Sequence, residues 1–347
     1  MGKIRIGTRE SQLAIWQATE VKNMLQKAGT EPELVYITSE GDIDLVTPLY
    51  DIGVQGIFTR SLDLALLNNR IDLAVHSMKD VPVQLAKGIK QAAVLKRGSY
   101  KDILVPHPDL DDVEGIFGRG LSGMGGTTIT EAIAKTRPGT RRKMGTRHKS
   151  SDINKGDEAE VVIATSSIRR VAQWLRRFPH HKIENLRGNV NTRLKKLKES
   201  HWQGAIFAAA GLERIGLRPK KSIDLDWMLP APAQGAIVVV CRENDERSFD
   251  CCRTLNDEET ALCTKIERDF LSALMGGCST PISALAHVKG GKVAFKGNIV
   301  IPNSHRMAEC NLPDWKIEDS AGLGFAAAQN ILAQGGQELM DMINAKK

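Results

Sequence analysis

Aromatic residues and long apolar runs are scarce in this sequence. Phenylalanine, tryptophan and tyrosine make up 5% of its 347 residues, so few rings are available to stack on nucleic-acid bases. The longest apolar runs, such as residues 205–212, are far shorter than the roughly 20 residues that span a bilayer. Charged residues near the N-terminus stand where a signal peptide carries its apolar core. We therefore expect a cytoplasmic protein that binds neither nucleic acid nor a membrane.

Motifs for metals and nucleotides are also missing. No GxxxxGK(S/T) phosphate-binding loop is present, which disfavours an ATP site. His180 and His181 are adjacent, and adjacent residues of a helix or strand do not point at the same ion. We interpret these two histidines and His201 as solvated. We therefore expect no metal site. The cysteines lack the CxxC spacing of zinc sites, and in an unexported protein we expect thiols at Cys241, Cys251, Cys252, Cys263, Cys278 and Cys310.

The charge balance is basic. Lys and Arg number 48 against 41 Asp and Glu, which gives a formal charge of +7. This surplus favours an anionic partner. The most basic stretch, residues 137–149, has little apolar material. We interpret it as a solvated part of an insertion rather than as an anion-binding arm, because charge runs without an apolar face usually stay in water.

Hydrophobic periodicity predicts three domains. Over the first two-thirds of the chain, short apolar strands alternate with amphipathic helices, a pattern typical of α/β layers with largely parallel sheets. After residue 256 a helix, a hairpin-like stretch and a closing helix indicate a small α+β domain. We predict two α/β lobes that resemble periplasmic binding proteins, followed by this appendage. The predicted boundaries are 1–99 with 234–253, 100–233 with an insertion at about 107–158, and 254–347.

Hydroxyl and arginine side chains follow the predicted strands. In open α/β sheets, ligands bind beyond the carboxyl ends of the strands, where helix N-termini present free N–H groups. A cation is unfavourable there because the helix dipole is already positive. Arg169, Arg170 and Arg193 near helix starts therefore favour a cleft that receives an anion with several carboxylates or phosphates, which arginine binds bidentately.

Asp80 is a carboxylate among these cations. From the sequence alone, a salt bridge with Lys79 or a neighbouring arginine is one interpretation, and a group that accepts N–H bonds from a substrate is the other. A non-catalytic anion-binding protein and a nucleic-acid binder also remain as alternatives. The absence of a recognition-helix or aromatic pattern disfavours the nucleic-acid binder.

Seven motifs in order resemble the porphobilinogen deaminase family, also called hydroxymethylbilane synthases. They run nearly from end to end of the chain, at residues 8–14 (TRESQLA), 75–82 (VHSMKDVP), 165–170 (TSSIRR), 186–193 (LRGNVNTR), 210–214 (AGLER), 232–236 (PAQGA) and 276–281 (GGCSTP). Enzymes of this family join four porphobilinogen molecules head to tail, release ammonia each time, and hydrolyse off a linear tetrapyrrole. The resemblance implies that Cys278 holds a dipyrromethane cofactor through a thioether, and we expect the enzyme to be a monomer.

The resemblance also implies roles for individual residues. Asp80 would be the catalytic acid, which stabilises the cationic azafulvene-type species formed when ammonia leaves. Gln234 would line the cofactor cavity, although a purely structural hinge role is an equal alternative. Cofactor contacts are implied for Arg9, Ser11, Ser77, Lys79, Asp80, Thr165, Ser166, Ser167, Arg169, Arg170, Arg187, Gly188, Arg193, Ala208, Gln234 and Cys278. Substrate contacts are implied for Arg9, Ser11, Arg187, Arg193 and Arg214.

Three features depart from the family pattern. Asp51 and Gln55 occupy places in a loop that often carries lysines, which puts lysine contacts from that loop in doubt. The insertion at about 107–158 is longer than usual and receives no role. Thr280 replaces a more usual aliphatic residue shortly after the cysteine.

Overall fold

Alternating apolar strands and helices form two sheet-based lobes in the computed structural model, which describes residues 2–38, 59–111, 160–277, 280–302, 304 and 306–345. Cys278, Asp51, Gln55 and most of the predicted insertion lie outside these residues. The first described stretches contain β1 (Ile4–Thr8), α1 (Gln12–Lys27), β2 (Pro32–Tyr36), α2 (Arg60–Leu67), β3 (Leu73–Ser77), β4 (Ile89–Val94) and β5 (Asp102–Pro106).

The remaining elements complete the second lobe, return to the first and build the third domain. The second lobe continues with β6 (Val162–Ala164), α3 (Ile168–Arg177), β7 (Lys182–Glu184), α4 (Val190–Lys198), β8 (Gly204–Ala208), α5 (Ala209–Arg214) and β9 (Ile223–Asp224). After these come β10 (Ile237–Arg242), α6 (Glu246–Cys252), α7 (Glu258–Ala273), β11 (Ile282–Lys289), β12 (Lys292–Val300), β13 (Met307–Lys316), α8 (Leu323–Ile331) and α9 (Gln337–Asn344).

Each lobe contains a five-stranded sheet with one inverted strand. The orders are β2-β1-β3-β10-β4 and β7-β6-β8-β5-β9. In the first sheet β10 runs antiparallel to β3 and β4, and in the second β5 runs antiparallel to β8 and β9. Each inverted strand is the first strand that the chain forms after crossing from the other lobe. The chain therefore passes between the lobes twice, through residues 95–101 and 225–236.

Apolar residues on both faces of each sheet explain why these strands are central. All five residues from Ile237 to Cys241 are buried, as expected of a strand covered on both faces. The second sheet is covered on one side by a cluster around Trp174 and on the other by a cluster that includes Phe207. The expected pair of α/β lobes with largely parallel sheets is confirmed, and so is the small α+β domain.

The third domain packs α7 and α8 on the antiparallel sheet β11-β12-β13. Phe270 and Phe295 meet edge to face, with ring centroids 5.1 Å apart. A Cβ at Gly297 would lie 2.6 Å from the Phe270 ring, so this close packing requires glycine. The hairpin-like stretch predicted from the sequence turns at Gly290 and Gly291, which have φ values of 58° and 72° as type I′ turns require.

A buried carboxylate ties the third domain to both crossovers. Glu267, on α7, is fully buried and accepts two hydrogen bonds from Arg97 of the first crossover, at 2.6 and 3.0 Å. It also accepts the backbone N–H of Ala233 in the second crossover at 2.6 Å and that of Ala286 on β11 at 2.7 Å. A buried charge is tolerated only when it is paired in this way. Glu267 therefore joins the third domain to the chain segments that connect the two lobes.

Candidate active site

The segments that follow β1 in the first lobe and β7 in the second lie next to each other. In the first lobe β1 leads into Arg9, and Ser11 caps α1 by accepting the N–H of Ala14 at 3.3 Å. Serine is favoured at this position because its oxygen satisfies one free N–H of the first turn. Asn191 of the second lobe donates to Gln12 at 2.9 Å. This contact brings the α1 and α4 N-termini together across the cleft.

Asp80 ends a single helical turn, Met78–Asp80, that directly follows β3. Buried Met78 anchors the turn, because its N–H donates to the Ala236 carbonyl at 3.0 Å and its carbonyl accepts the N–H of Val81 at 3.2 Å. Ser77 accepts a 2.8 Å hydrogen bond from Gln17 of α1. The Asp80 side chain is half-buried. The fold thus holds the backbone on both sides of Asp80 while leaving its side chain partly open to solvent.

Asp80 interacts electrostatically with a cation of each lobe. Burial lowers the pKa of Lys79 to about 8, and the field of Asp80 opposes that shift. Burial also lowers the pKa of Arg193, to about 10; the charge of Arg170 adds to this effect, and Asp80 again opposes it. Asp80 therefore acts electrostatically on one cation of its own lobe and on one of the facing lobe.

A second carboxylate, Asp102, lies behind the arginines. It is fully buried at the start of β5, and its oxygens lie 2.7 Å from Arg169 and 2.8 Å from Arg170. Burial alone would raise the pKa of Asp102, but the two guanidinium groups hold it below its ordinary range. The sequence led us to expect an anionic ligand beside Arg169 and Arg170. Part of that negative charge comes instead from Asp102, an internal carboxylate that was not predicted.

Positive charge remains in excess around the cleft. Arg169 and Arg170 share one carboxylate, and Arg169 Nε is buried without a hydrogen-bond partner among the described residues. Arg187 is also buried, and its charge helps to lower the pKa of Arg193. Arg193 Nε donates to the carbonyl of Gly188 at 2.7 Å. A cluster with this surplus is suited to bind a ligand with several carboxylates.

Gly188 adopts a backbone conformation that other residues avoid. Its φ is +111°, and a Cβ there would lie 2.7 Å from Thr192 Cγ2. This geometry turns the chain between β7 and α4, where Asn189 caps the helix by accepting the N–H of Thr192 at 3.0 Å. Arg187 directly precedes this turn and Arg193 follows it on α4. The turn therefore fixes the positions of the two arginines relative to each other.

The hydroxyls after β6 have separate local roles. Ser166 hydrogen-bonds the carbonyl of Leu186 at 2.6 Å and accepts its N–H at 2.9 Å, which joins the ends of β6 and β7. Buried Thr165 accepts the N–H of Ser167 at 3.3 Å. Ser167 itself makes no capping hydrogen bond to α3. Of the three hydroxyls, that of Ser167 is therefore the least committed to local structure.

Gln234 lies in the second crossover and binds the first crossover region, while Arg214 binds the second crossover. Gln234 is buried and donates to the Tyr100 carbonyl at 2.8 Å and to Asp102 at 2.9 Å. Arg214 donates to the carbonyl of Gly235 at 2.7 Å and lies over the ring of Trp16 at 5.7 Å. These contacts place Gln234 and Arg214 at the hinge, while Ala208 is half-buried where β8 passes into α5.

The residues that flank Cys278 are held by hydrogen bonds, although Cys278 itself lies outside the described residues. Thr280 is buried; its hydroxyl donates to the carbonyl of Gly277 at 2.7 Å and accepts the N–H of Gly277 at 3.1 Å. The N–H of Gly276 closes the end of α7 by donating to Leu271 at 2.9 Å. The hydroxyl of Thr280, noted above as a departure, thus joins the two ends of the cysteine segment.

Metal clusters and membrane-spanning helices are both absent from the described part of the chain. No group of three or more of its His, Cys, Asp or Glu side chains is arranged to hold a metal ion. None of the helices described above combines the length and apolar character needed to cross a membrane.

Comparison with known families agrees with the sequence motifs. Residues 4–121 and 129–250 match the family described as "Porphobilinogen deaminase, dipyromethane cofactor binding domain". Residues 261–333 match "Porphobilinogen deaminase, C-terminal domain". Together these matches cover most of the chain, and they include both lobes and the third domain.

Similar proteins come from bacteria, plants and archaea. The chain is 34% identical over 346 residues to porphobilinogen deaminase of Acidithiobacillus ferrooxidans, with 97% of each chain covered. It is 34% identical to the chloroplastic porphobilinogen deaminase of Oryza sativa, with 98% and 86% covered. It is 38% identical to the probable porphobilinogen deaminase of Methanocaldococcus jannaschii, with 82% of each covered. The methionine-binding protein MetQ, a solved structure, overlaps 77% of this chain and 90% of its own at 11% identity, with a TM-score of 0.39.

Proposed function

We propose that this chain, which belongs to the porphobilinogen deaminase family, joins four porphobilinogen molecules head to tail and releases one ammonia at each condensation. The product is the linear tetrapyrrole hydroxymethylbilane, released by hydrolysis. The dipyrromethane cofactor, held by a thioether to Cys278, supplies the pyrrole carbon to which each new unit is joined. The observation that carries the proposal is the match of both lobes and the third domain to the two porphobilinogen deaminase family domains.

Asp80 is proposed as the catalytic carboxylate. When ammonia leaves porphobilinogen, positive charge develops on the pyrrole ring and its exocyclic carbon. A carboxylate held in place before the reaction stabilises that charge without reorganising. It also accepts the pyrrole N–H, and it can move a proton when the reacting ring is within hydrogen-bond reach. The fixed backbone on both sides of Asp80 supports this role.

The surrounding cations are proposed to bind the acetate and propionate groups of the pyrrole rings. Each added ring brings two carboxylates, so the growing chain becomes steadily more negative. The excess of guanidinium groups over Asp102 and the unpartnered Nε of Arg169 fit such a ligand. The proposed binding residues are those that the family resemblance implies: Arg9, Ser11, Ser77, Lys79, Thr165, Ser166, Ser167, Arg169, Arg170, Arg187, Gly188, Arg193, Ala208, Arg214 and Gln234.

Their contributions differ by position. Arg187, Arg193 and Ser167 are proposed to contact ligand carboxylates directly, because they follow the carboxyl ends of β6 and β7 and belong to the family motifs TSSIRR and LRGNVNTR. Ser166 and Gln234 are proposed to act mainly by holding the strand ends and the hinge. This assignment favours the hinge alternative for Gln234, since both of its amide hydrogen bonds go to the first crossover region.

We also propose that the enzyme acts as a cytoplasmic monomer that binds no nucleic acid. The support is that one chain supplies the cations, Asp80 and the segment around Cys278. The proposed domain limits, 1–99 with 234–253, 100–233 and 254–347, are supported by the two crossovers, because 99/100 lies within the first and 233/234 within the second.

Intact-mass spectrometry separates this function from simple anion binding. Protein freshly produced in cells that make porphobilinogen should exceed its sequence mass by one dipyrromethane unit, and Cys278→Ser should lack the addition. Cys251→Ser is the matched control, because this half-buried thiol lies on the helix after β10; it should keep the addition. An active enzyme with unmodified mass would refute the covalent anchor, whereas an inactive protein with unmodified mass would favour a non-catalytic anion-binding protein.

A further inference from the structure

Arg268 of the third domain clamps the loop that carries Asp80. Its guanidinium group donates to the carbonyls of Val81 at 3.0 Å, Pro82 at 2.6 Å and Val83 at 3.0 Å. A longer contact, 3.4 Å, reaches the carbonyl of Met78. The carbonyls lie on both sides of Asp80 in the sequence. One side chain of α7 therefore holds the loop before and after the proposed catalytic carboxylate.

The loop needs such a donor because it has left the sheet. Beyond β3 its carbonyls no longer pair with a neighbouring strand, and Pro82 has no N–H to contribute to a turn. Arginine suits this task, since its planar group offers five donors in a fixed fork, whereas lysine offers a single point charge on a flexible stem. The position on α7 also matters, because the adjacent Glu267 fixes the same helix to both crossovers.

We infer that Arg268 is a positioning residue for Asp80: it fixes the 78–83 loop and thereby the backbone that carries the carboxylate. Arg268 is not proposed to touch substrate or cofactor, and its effect on the Asp80 carboxylate passes through the loop. The inference rests on the proposed catalytic role of Asp80. The same contacts hold the third domain, which carries Cys278, in a fixed position relative to Asp80 of the first lobe.

A double-mutant cycle tests this inference. Turnover per adduct-bearing molecule is measured for the wild type, Arg268→Lys, Asp80→Glu and the double variant. Displacing a reacting group by about 1 Å costs about 100-fold in rate, so we expect Arg268→Lys to lose about that much with little change in KM. In the Asp80→Glu background the same change should cost less than about tenfold, because the carboxylate is already displaced and residues that act as a unit are not additive.

Two controls separate positioning from general stability. Lys265→Met removes an exposed cation of the same helix that pairs only locally with Asp269, and turnover should be unchanged. Thermal midpoints are measured for every variant, with Arg268→Met included as the variant that removes all the donors. If Arg268→Met does not fold, Arg268→Lys carries the test. Exchange of the Val81 amide, which donates to Met78, should speed up in Arg268→Lys.

The outcomes distinguish the inference from the proposed function. Near-normal turnover of Asp80→Glu and Asp80→Ala would remove the role of Asp80 and the inference with it. Slow Asp80 variants beside a normal Arg268→Lys would overturn the inference alone. Equal fold losses from Arg268→Lys in both backgrounds would also overturn it, because they would show an effect that does not pass through Asp80.

Discussion

Replacing Asp102 with alanine tests whether the arginines of the cleft form one buried electrostatic unit. The carboxylate is fully buried, and it pairs with Arg169 and Arg170 and accepts a hydrogen bond from Gln234 at 2.9 Å. Asp102→Ala leaves two buried guanidinium groups without their anion. Breaking a buried ion pair from one side costs about 3–5 kcal/mol, a large share of the about 5–15 kcal/mol that stabilises a typical protein.

Urea denaturation measures this cost. With a slope of about 3 kcal/mol per molar urea, the loss corresponds to a fall of about 1–2 M in the unfolding midpoint. Asp226→Ala is the matched control: it removes a mostly exposed carboxylate that pairs with Lys101, and exposed pairs contribute about 1 kcal/mol or less. A loss below about 1 kcal/mol for Asp102→Ala would refute the reasoning, because the guanidinium groups would then have other adequate partners.

The pH dependence of stability gives an independent check on the same residue. Arg169 and Arg170 hold the pKa of Asp102 below its ordinary range against the effect of burial. A carboxyl group with a depressed folded-state pKa contributes stability above its unfolded pKa of about 4, and this contribution is lost as the pH falls further. Asp102→Asn should therefore flatten the acid side of the stability profile. An unchanged acid limb would contradict the assigned pairing.

Two further predictions concern Lys79 and Gly188. Because burial lowers the pKa of Lys79 to about 8, its charge is lost as the pH rises through 8, and KM for porphobilinogen should rise there; an equally steep rise in Lys79→Met would contradict this role. Gly188→Ala should lower stability by about 1–3 kcal/mol in thermal unfolding, because it combines a positive φ with a close contact to Thr192. Gly216→Ala, with φ +67° and open space, should cost less; equal losses in both variants would refute the packing argument.

The fold was largely predictable because its strands are buried on two faces and its helices are amphipathic. The run from Ile237 to Cys241 could be identified as a strand from its apolar residues alone. The antiparallel direction of this strand could not be identified from the sequence, because it depends on the lobe from which the chain has just crossed. Strands β4, β5, β9 and β13 and helices α5, α6 and α9 were not predicted. In β13, polar residues such as Asn311 and Asp314 interrupt the apolar pattern.

The site was predictable to the level of residue types. Strand-end arginines and hydroxyls pointed to an anion, and the motifs supplied the family. Asp102 was missed although it begins an otherwise apolar strand, DILVP, and a lone acid before such a run is a usable signal of a buried ion pair. Arg268 had no such signal. Its role comes from contacts with residues 185 to 190 positions away, which only the folded chain brings together.

The most direct measurement of the central claim follows chain growth by mass. Asp80→Asn protein that carries the dipyrromethane addition is mixed with porphobilinogen, quenched at intervals and analysed by intact-mass spectrometry beside the wild type. The wild type should show successive additions of pyrrole units, while the variant should keep its primer mass over the same interval. A variant that adds units at the wild-type rate would contradict the assignment of Asp80 as the carboxylate on which condensation depends.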